Sequence, residues 1–171
     1  TIPGSTTAIG SSAFKGCTRL KSIEIQGGVM EIGSSAFEEC SNLTSVTIQG
    51  PLKSIGSSAF NGCKGLKAFT FPDSLTSIRS AAFSGCTRPS VTIPGSVQSI
   101  GPSAFQSCTG LQSVTIENGV SSIGTQAFYG CSGLKTVLIP GTVADIGQNA
   151  FGYCHSIKYF AVPKSFSSLL R

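Results

Sequence analysis

The sequence has no Trp, a single Met and a single His, and its basic residues never form a run. Charged side chains make up 11% of its 171 residues, well under the roughly 25% of an average soluble protein. Each shortage excludes something. Without charge-rich tracts there is no disordered tail to expect, and no apolar run approaches the ~20 residues of a spanning helix. The formal net charge of +5 comes from twelve scattered Lys and Arg residues, which predicts a mildly basic surface and no nucleic-acid partner. Thr1-Ile2-Pro3-Gly4 lacks the basic start and apolar stretch of a secretory leader. The pattern is already under way at the first residue and still running at the last, so we expect one domain over 1–171, excerpted from a longer chain and without end caps.

Catalytic signatures are equally scarce. There is no Gly-x-Ser-x-Gly elbow and no phosphate-binding loop. Of seven acidic residues only Glu38 and Glu39 are adjacent, and adjacent carboxylates on one turn point apart, which disfavours a glycosidase-type pair. His155 follows Cys154. A Cys/His nucleophile pair is conceivable there, but Cys154 belongs to a repeat and His155 to a variable position, so no catalytic residue is assigned. We expect no enzyme and no cofactor.

What is present is repetition. Phe recurs at 14, 37, 60, 83, 105, 128 and 151, each preceded by Ala and followed three residues later by Cys. Ile stands five residues before each Phe, from Ile9 to Ile146. The steps are 23 residues except for one of 22 between Phe83 and Phe105. Downstream of Cys17, Cys40, Cys108 and Cys131 comes Leu-x-x-Ile/Val-x-Ile, as in Leu43, Val46 and Ile48. Its β-branched, period-two half predicts a short strand buried on one face. Phe69-Thr70-Phe71 takes the same place in the third repeat. Pro3, Pro72, Pro94, Pro140 and Pro163 then end the strand. A second apolar pair, such as Val97/Ile100, predicts an extended segment on the opposite side. Ser-Ala-Phe-x-x-Cys reads as a single helical turn with Ser12, Ser35 or Ser58 as N-cap.

A 23-residue unit with one strand cannot bury its own apolar face, so its neighbours must stack on it. Equivalent strands are then parallel at ~4.8 Å, and seven rungs give a strand face of about 29 Å. The short step falls at Cys86-Thr87-Arg88-Pro89-Ser90, where Pro89 stands near the usual Leu and a local packing defect is expected. Gly follows the Ile in six repeats but Arg79 does so in the fourth. If that site needs a left-handed backbone, Arg79 costs roughly 1 kcal/mol.

Val137-Leu138-Ile139-Pro140-Gly141-Thr142-Val143-Ala144-Asp145-Ile146-Gly147, with Ala150, Phe151 and Cys154, resembles the BspA-like (treponemal-type) leucine-rich repeat. The likeness spans essentially the whole chain. It implies a curved solenoid with a concave parallel sheet, and on the convex side short extended segments and single helical turns. It also implies a cell-surface or secreted location and adhesion to protein or glycan, such as host matrix or another cell.

One Cys per repeat predicts a ladder of buried free thiols. A spacing near 4.8 Å fits disulfides poorly, since they prefer Cβ atoms ~3.8 Å apart, and no Cys-x-x-Cys suggests a metal. Free thiols alone favour a reducing compartment; we side with the surface location that the family implies.

Alternation leaves two columns on the concave face. One runs from Ser22 to Tyr159, the other through Glu24, Thr47, Thr70, Thr92 and Thr115, with Glu117 just beyond its strand. These eight are the candidate ligand-binding residues, with Tyr159 as the aromatic anchor. Ser and Thr are also simply good strand residues, and a spacer array without a ligand is the alternative. A Thr row is similar to flat ice-binding faces too, but those call for two Thr columns and here the second is Ser. Apolar ends would also permit end-to-end self-association.

Overall fold

A computed structural model describes residues 1–165. Phe166 and Leu169, expected to carry the pattern into a further coil, lie outside the described residues.

The described residues form fourteen strands: β1 (Ala8–Ile9), β2 (Ser22–Ile25), β3 (Glu31–Ile32), β4 (Ser45–Ile48), β5 (Ser54–Ile55), β6 (Ala68–Phe69), β7 (Ser77–Ile78), β8 (Ser90–Ile93), β9 (Ser99–Ile100), β10 (Ser113–Ile116), β11 (Ser122–Ile123), β12 (Thr136–Leu138), β13 (Asp145–Ile146) and β14 (Tyr159–Ala161). All pairing is parallel and advances one coil at a time. Ile2, where a strand was expected, makes an isolated parallel bridge to Ile25. Among the described residues no helix is long and apolar enough to cross a membrane.

The two sheets differ from expectation in an instructive way. The segments expected to be merely extended form one unbroken seven-stranded sheet, β1-β3-β5-β7-β9-β11-β13. The Ile/Val-x-Ile strands, expected to form one continuous sheet, form two: β2-β4-β6 and β8-β10-β12-β14. The break falls at the 22-residue step, and the strand expected over Phe69–Phe71 is only Ala68–Phe69.

Between the sheets lies the core. Phe37, Phe60, Phe83, Phe105 and Phe128 are fully buried, and their rings stack almost parallel at 5.1–5.4 Å between centroids. Offset stacking of this kind adds about 0.5–1.5 kcal/mol per pair beyond area burial. The widest spacing, 5.4 Å, is between Phe83 and Phe105, across the short step.

The Ser-Ala-Phe-x-x-Cys stretch is not a helical turn. Ser12, Ser35 and Ser58 have φ near +56°, whereas an N-cap residue sits in the β region. A second left-handed position follows four residues later, at Gly16, Glu39 and Gly62. Successive amides consequently alternate in direction. Ala36 and Cys40 donate within their own coil, to Gly33 and Phe37; Ser35, Phe37 and Glu39 donate to the next coil, at Ser57, Ala59 and Asn61.

From Gly33 onward the glycine after Ile has a different cause from the one expected. A Cβ on Gly56 would lie 2.6 Å from the Gly33 carbonyl carbon, and one on Gly101 would lie 2.6 Å from that of Arg79. Close approach of neighbouring coils, not a left-handed backbone, selects Gly here: neither of these glycines nor Arg79 has positive φ. Around Arg79 the coils stand slightly apart. The bonds from Arg79 N–H to Ile55 and from Gly101 N–H to Ile78 are 3.0 Å, against 2.8 Å for Gly33 and Gly56.

All seven cysteines are free. The five from Cys40 to Cys131 are buried, but Cys17 is exposed and Cys154 half-buried, so the ladder is dry only in the middle of the array. Each buried thiol donates to the carbonyl of a Phe in an earlier coil, from Cys40 to Phe14 (3.0 Å) through Cys131 to Phe105 (3.2 Å). Burial pushes the Cys63 thiol up to about 12. These are inert core groups that also satisfy backbone acceptors.

Candidate functional site

The break in the sheet falls at Pro89 and is bridged by Arg88. Counted forward from Cys86, Pro89 falls near the usual Leu; counted back from the strand, Arg88 takes that place. The structure follows the second count: Ser90 pairs with Ser113, and Arg88 is buried like Leu66 and Leu111. Pro89 thus replaces a residue that elsewhere donates to the preceding coil, as Lys67 does to Thr44 and Gln112 to Pro89. Proline has no N–H to give. Side chains replace the missing backbone bonds. Arg88 donates from Nη2 to the Phe69 carbonyl (2.7 Å) and from Nε to that of Ser90 (2.9 Å), while Thr87 Oγ1 donates to the Lys64 carbonyl.

The expected packing defect is filled by aromatic bulk. Phe71 stands where the other repeats carry Ile or Val, and Phe69 where all others but the last, with Phe160, carry Val or Ile. Phe69 meets the Phe60 and Phe83 rings edge-on at 5.3 and 5.1 Å. The Arg88 guanidinium lies 5.1 Å from the Phe71 centroid and 6.0 Å from that of Phe69. Burial draws its pKa down to about 10, so it keeps its charge at neutral pH. Nη1 finds no partner, and among the described residues the one ion pair is Lys15–Glu38.

Above Arg88 opens a cleft of about 270 Å³, lined by Phe69, Thr70, Phe71, Asp73, Arg88, Ser90, Thr92, Pro94 and Glu117. A second cleft of about 250 Å³ shares Phe69 and Thr70 and continues over Ser45 and Thr47. Of the eight residues expected from the sequence, Thr70, Thr92 and Glu117 meet in the first cleft, and Thr47 joins Thr70 in the second. The others stay apart: Ser22 and Glu24 lie on β2, Thr115 on β10 between Thr92 and Leu138, and Tyr159, 59% exposed, on β14 beside Thr136.

Sequence reasoning missed Arg88 and Asp73. Aligning the short repeat from its strand instead of its Cys would have placed Arg88 in the Leu column. It also missed a surface aromatic row, from half-buried Tyr129 to exposed Tyr153 at 5.0 Å and from Tyr153 to His155 at 5.6 Å.

The residues weighed for catalysis are engaged elsewhere. The Cys154 thiol donates to the Phe128 carbonyl (3.1 Å), while His155 is exposed against Tyr153. Glu38 is held by Lys15 at 2.9 Å and by Asn61 at 3.3 Å. The Lys15 hydrogen bond keeps its carboxyl below the usual range, the opposite of what a general acid needs. Among the described residues no group of three or more His, Cys, Asp or Glu is placed to hold a metal ion.

The repeat is one found in known proteins. The profile of the BspA type leucine rich repeat region matches in six copies, over residues 1–109 and 78–170. The chain belongs to the BspA-type leucine-rich repeat family. Solved structures agree. This BspA-type array is 34% identical to a leucine-rich repeat protein from Bacteroides ovatus, with a TM-score of 0.86 over 94% of this chain and 42% of that one. It is 30% identical to a leucine rich cell surface protein from Faecalibacterium prausnitzii, with a TM-score of 0.67, covering 92% of this chain and 51% of the other. The leucine rich repeat protein of T. pallidum is 28% identical, with a TM-score of 0.82, and 97% of this chain covers 76% of it. The array thus spans about half or less of the first two relatives. No curated protein matches it.

Proposed function

We propose that this array is a non-enzymatic recognition or adhesion module of a cell-surface or secreted protein, binding protein or glycan through the outer face of the longer strands. The observation that carries the reading is the pair of clefts on that face. Elsewhere the face consists mainly of small hydroxyl side chains; here Arg88, Asp73 and Glu117 bring charge together around a concavity. Membership of a repeat family with a cell-surface relative supports the location. The test is binding of the purified array to a panel of matrix proteins, glycans and cells, alongside Thr70→Arg/Thr92→Arg, both in the first cleft. Saturable binding that this variant loses is expected. No binding by a folded, cooperatively melting array would favour a spacer, the reading that the uniform Ser and Thr columns of β8 and β10 support.

A further inference from the structure

Arg88 is the one buried charged residue among the described residues, at 5% exposure. Its guanidinium carries five N–H groups, and the two hydrogen bonds described leave Nη1 without a partner. The cation therefore has carbonyls and aromatic faces around it but no anion. Its desolvation is already complete on folding, so a ligand oxygen that reaches it gains a charge-assisted hydrogen bond without stripping water from the arginine. At the mouth of the same cleft stand the exposed carboxylates of Asp73 and Glu117. Glu117 is tethered there by accepting from the Gly95 N–H at 3.3 Å.

We propose that the cleft between β6 and β8 is the specificity-determining subsite of this face, and that it takes a protein segment bearing an acidic side chain beside a basic one. The acidic group meets Arg88 and the basic group meets Asp73 and Glu117. The inference rests on the reading of this face as a recognition surface. The mixed charge of the lining decides between classes of partner. A polyanionic glycan would bring its charges against two carboxylates for every arginine, whereas a segment of alternating charge satisfies all three.

The test is a titration of the isotopically labelled full chain with the blocked dipeptide N-acetyl-Asp-Lys-amide, read by amide and guanidinium NMR signals. Saturable shifts are expected at Thr70, Ser90, Thr92 and the Arg88 Nε–H. Arg88→Leu restores the residue found at 66 and 111 and should weaken binding about tenfold or more. Asp73→Asn/Glu117→Gln, which leaves the core intact, should weaken the dipeptide but not N-acetyl-Asp-amide. No saturable shift at these residues, equal affinity in Arg88→Leu, or tighter binding of a heparin fragment than of the dipeptide would each overturn the assignment. Dipeptide shifts without any ligand in the panel would remove the adhesion reading and leave the cleft; panel binding without dipeptide shifts would remove the cleft alone.

Discussion

The two sides of this solenoid respond differently to the same missing residue. On one side, strands of two residues pair without interruption through all seven coils. On the other, strands of up to four residues split into sets of three and four. Strand length is therefore not what secures a ladder here. The deletion lies between Cys86 and Ser90, next to the longer strands, and puts Pro89 where an amide is needed. The shorter strands lie beyond Pro94, and there the register is already restored, with Ser77 paired to Ser99. Each side depends on the connection immediately before it, as expected when repeats contact only their neighbours.

The largest expected effect acts on both sides alike and sets the baseline. A thiol with a raised folded pKa keeps its proton after the unfolded chain has released it, so stability falls as pH rises. The window for Cys63 runs from its ordinary 9.0 to about 12, and each such thiol contributes about 1.4 kcal/mol per pH unit within it. Denaturant midpoints should thus be steady near neutrality and drop steeply above about pH 9. Midpoints unchanged through the alkaline range would contradict the dry ladder.

Phe60→Ala should cost about 3–5 kcal/mol. Its ring supports Phe37 and Phe83 in the stack and Phe69 under the break, so amide exchange should accelerate on both sides. Acceleration confined to one side would mean that the stack does not couple them.

Arg88→Ala removes the plug and leaves the Phe69 carbonyl unpaired, at a cost of about 3 kcal/mol. Arg88→Leu leaves the same carbonyl unpaired but refills the volume, so it should cost about 1–2 kcal/mol less than Arg88→Ala. Thermal melts of the pair sharpen the comparison; equal losses would show that the hydrogen bonds matter more than the volume.

The smallest difference tests the close approach of coils. Gly56→Ala should cost about 1–3 kcal/mol through crowding, while Arg79→Ala, already bearing a Cβ and exposed, should stay within about 0.5 kcal/mol. Chemical denaturation of both variants decides it.

The coil, its core columns and the thiol ladder were legible because each rests on a strict period that only stacking explains. Ile9 to Ile146, the Phe column and the Cys column all fall where the spacing puts them. What was not legible depends on contacts between coils. Ser35 gives no sign of its left-handed backbone, because its conformation is set by donating to Ser57. Gly56 looks like a turn residue until the Gly33 backbone is placed beside it. Of the candidate site, the Thr column was legible from alternation. The cleft was not, because it exists only where β6 and β8 fail to pair, and Arg88 reaches it through an alignment that the Cys spacing disguises.

The alternating amides of the Ser-Ala-Phe-x-x-Cys stretch have a mechanical consequence. Ser58, Phe60 and Gly62 each send a bond to the next coil, at Ser80, Ala82 and Ser84, parallel to the long axis. Tension along the array would load these bonds, together with β7–β9, while the side facing the cleft carries only the side-chain bonds of Thr87 and Arg88. Under load the array would yield first at this joint, gaping on the cleft side and bending about the intact one. A pull on the array would in this way widen the cleft before it unravelled any coil.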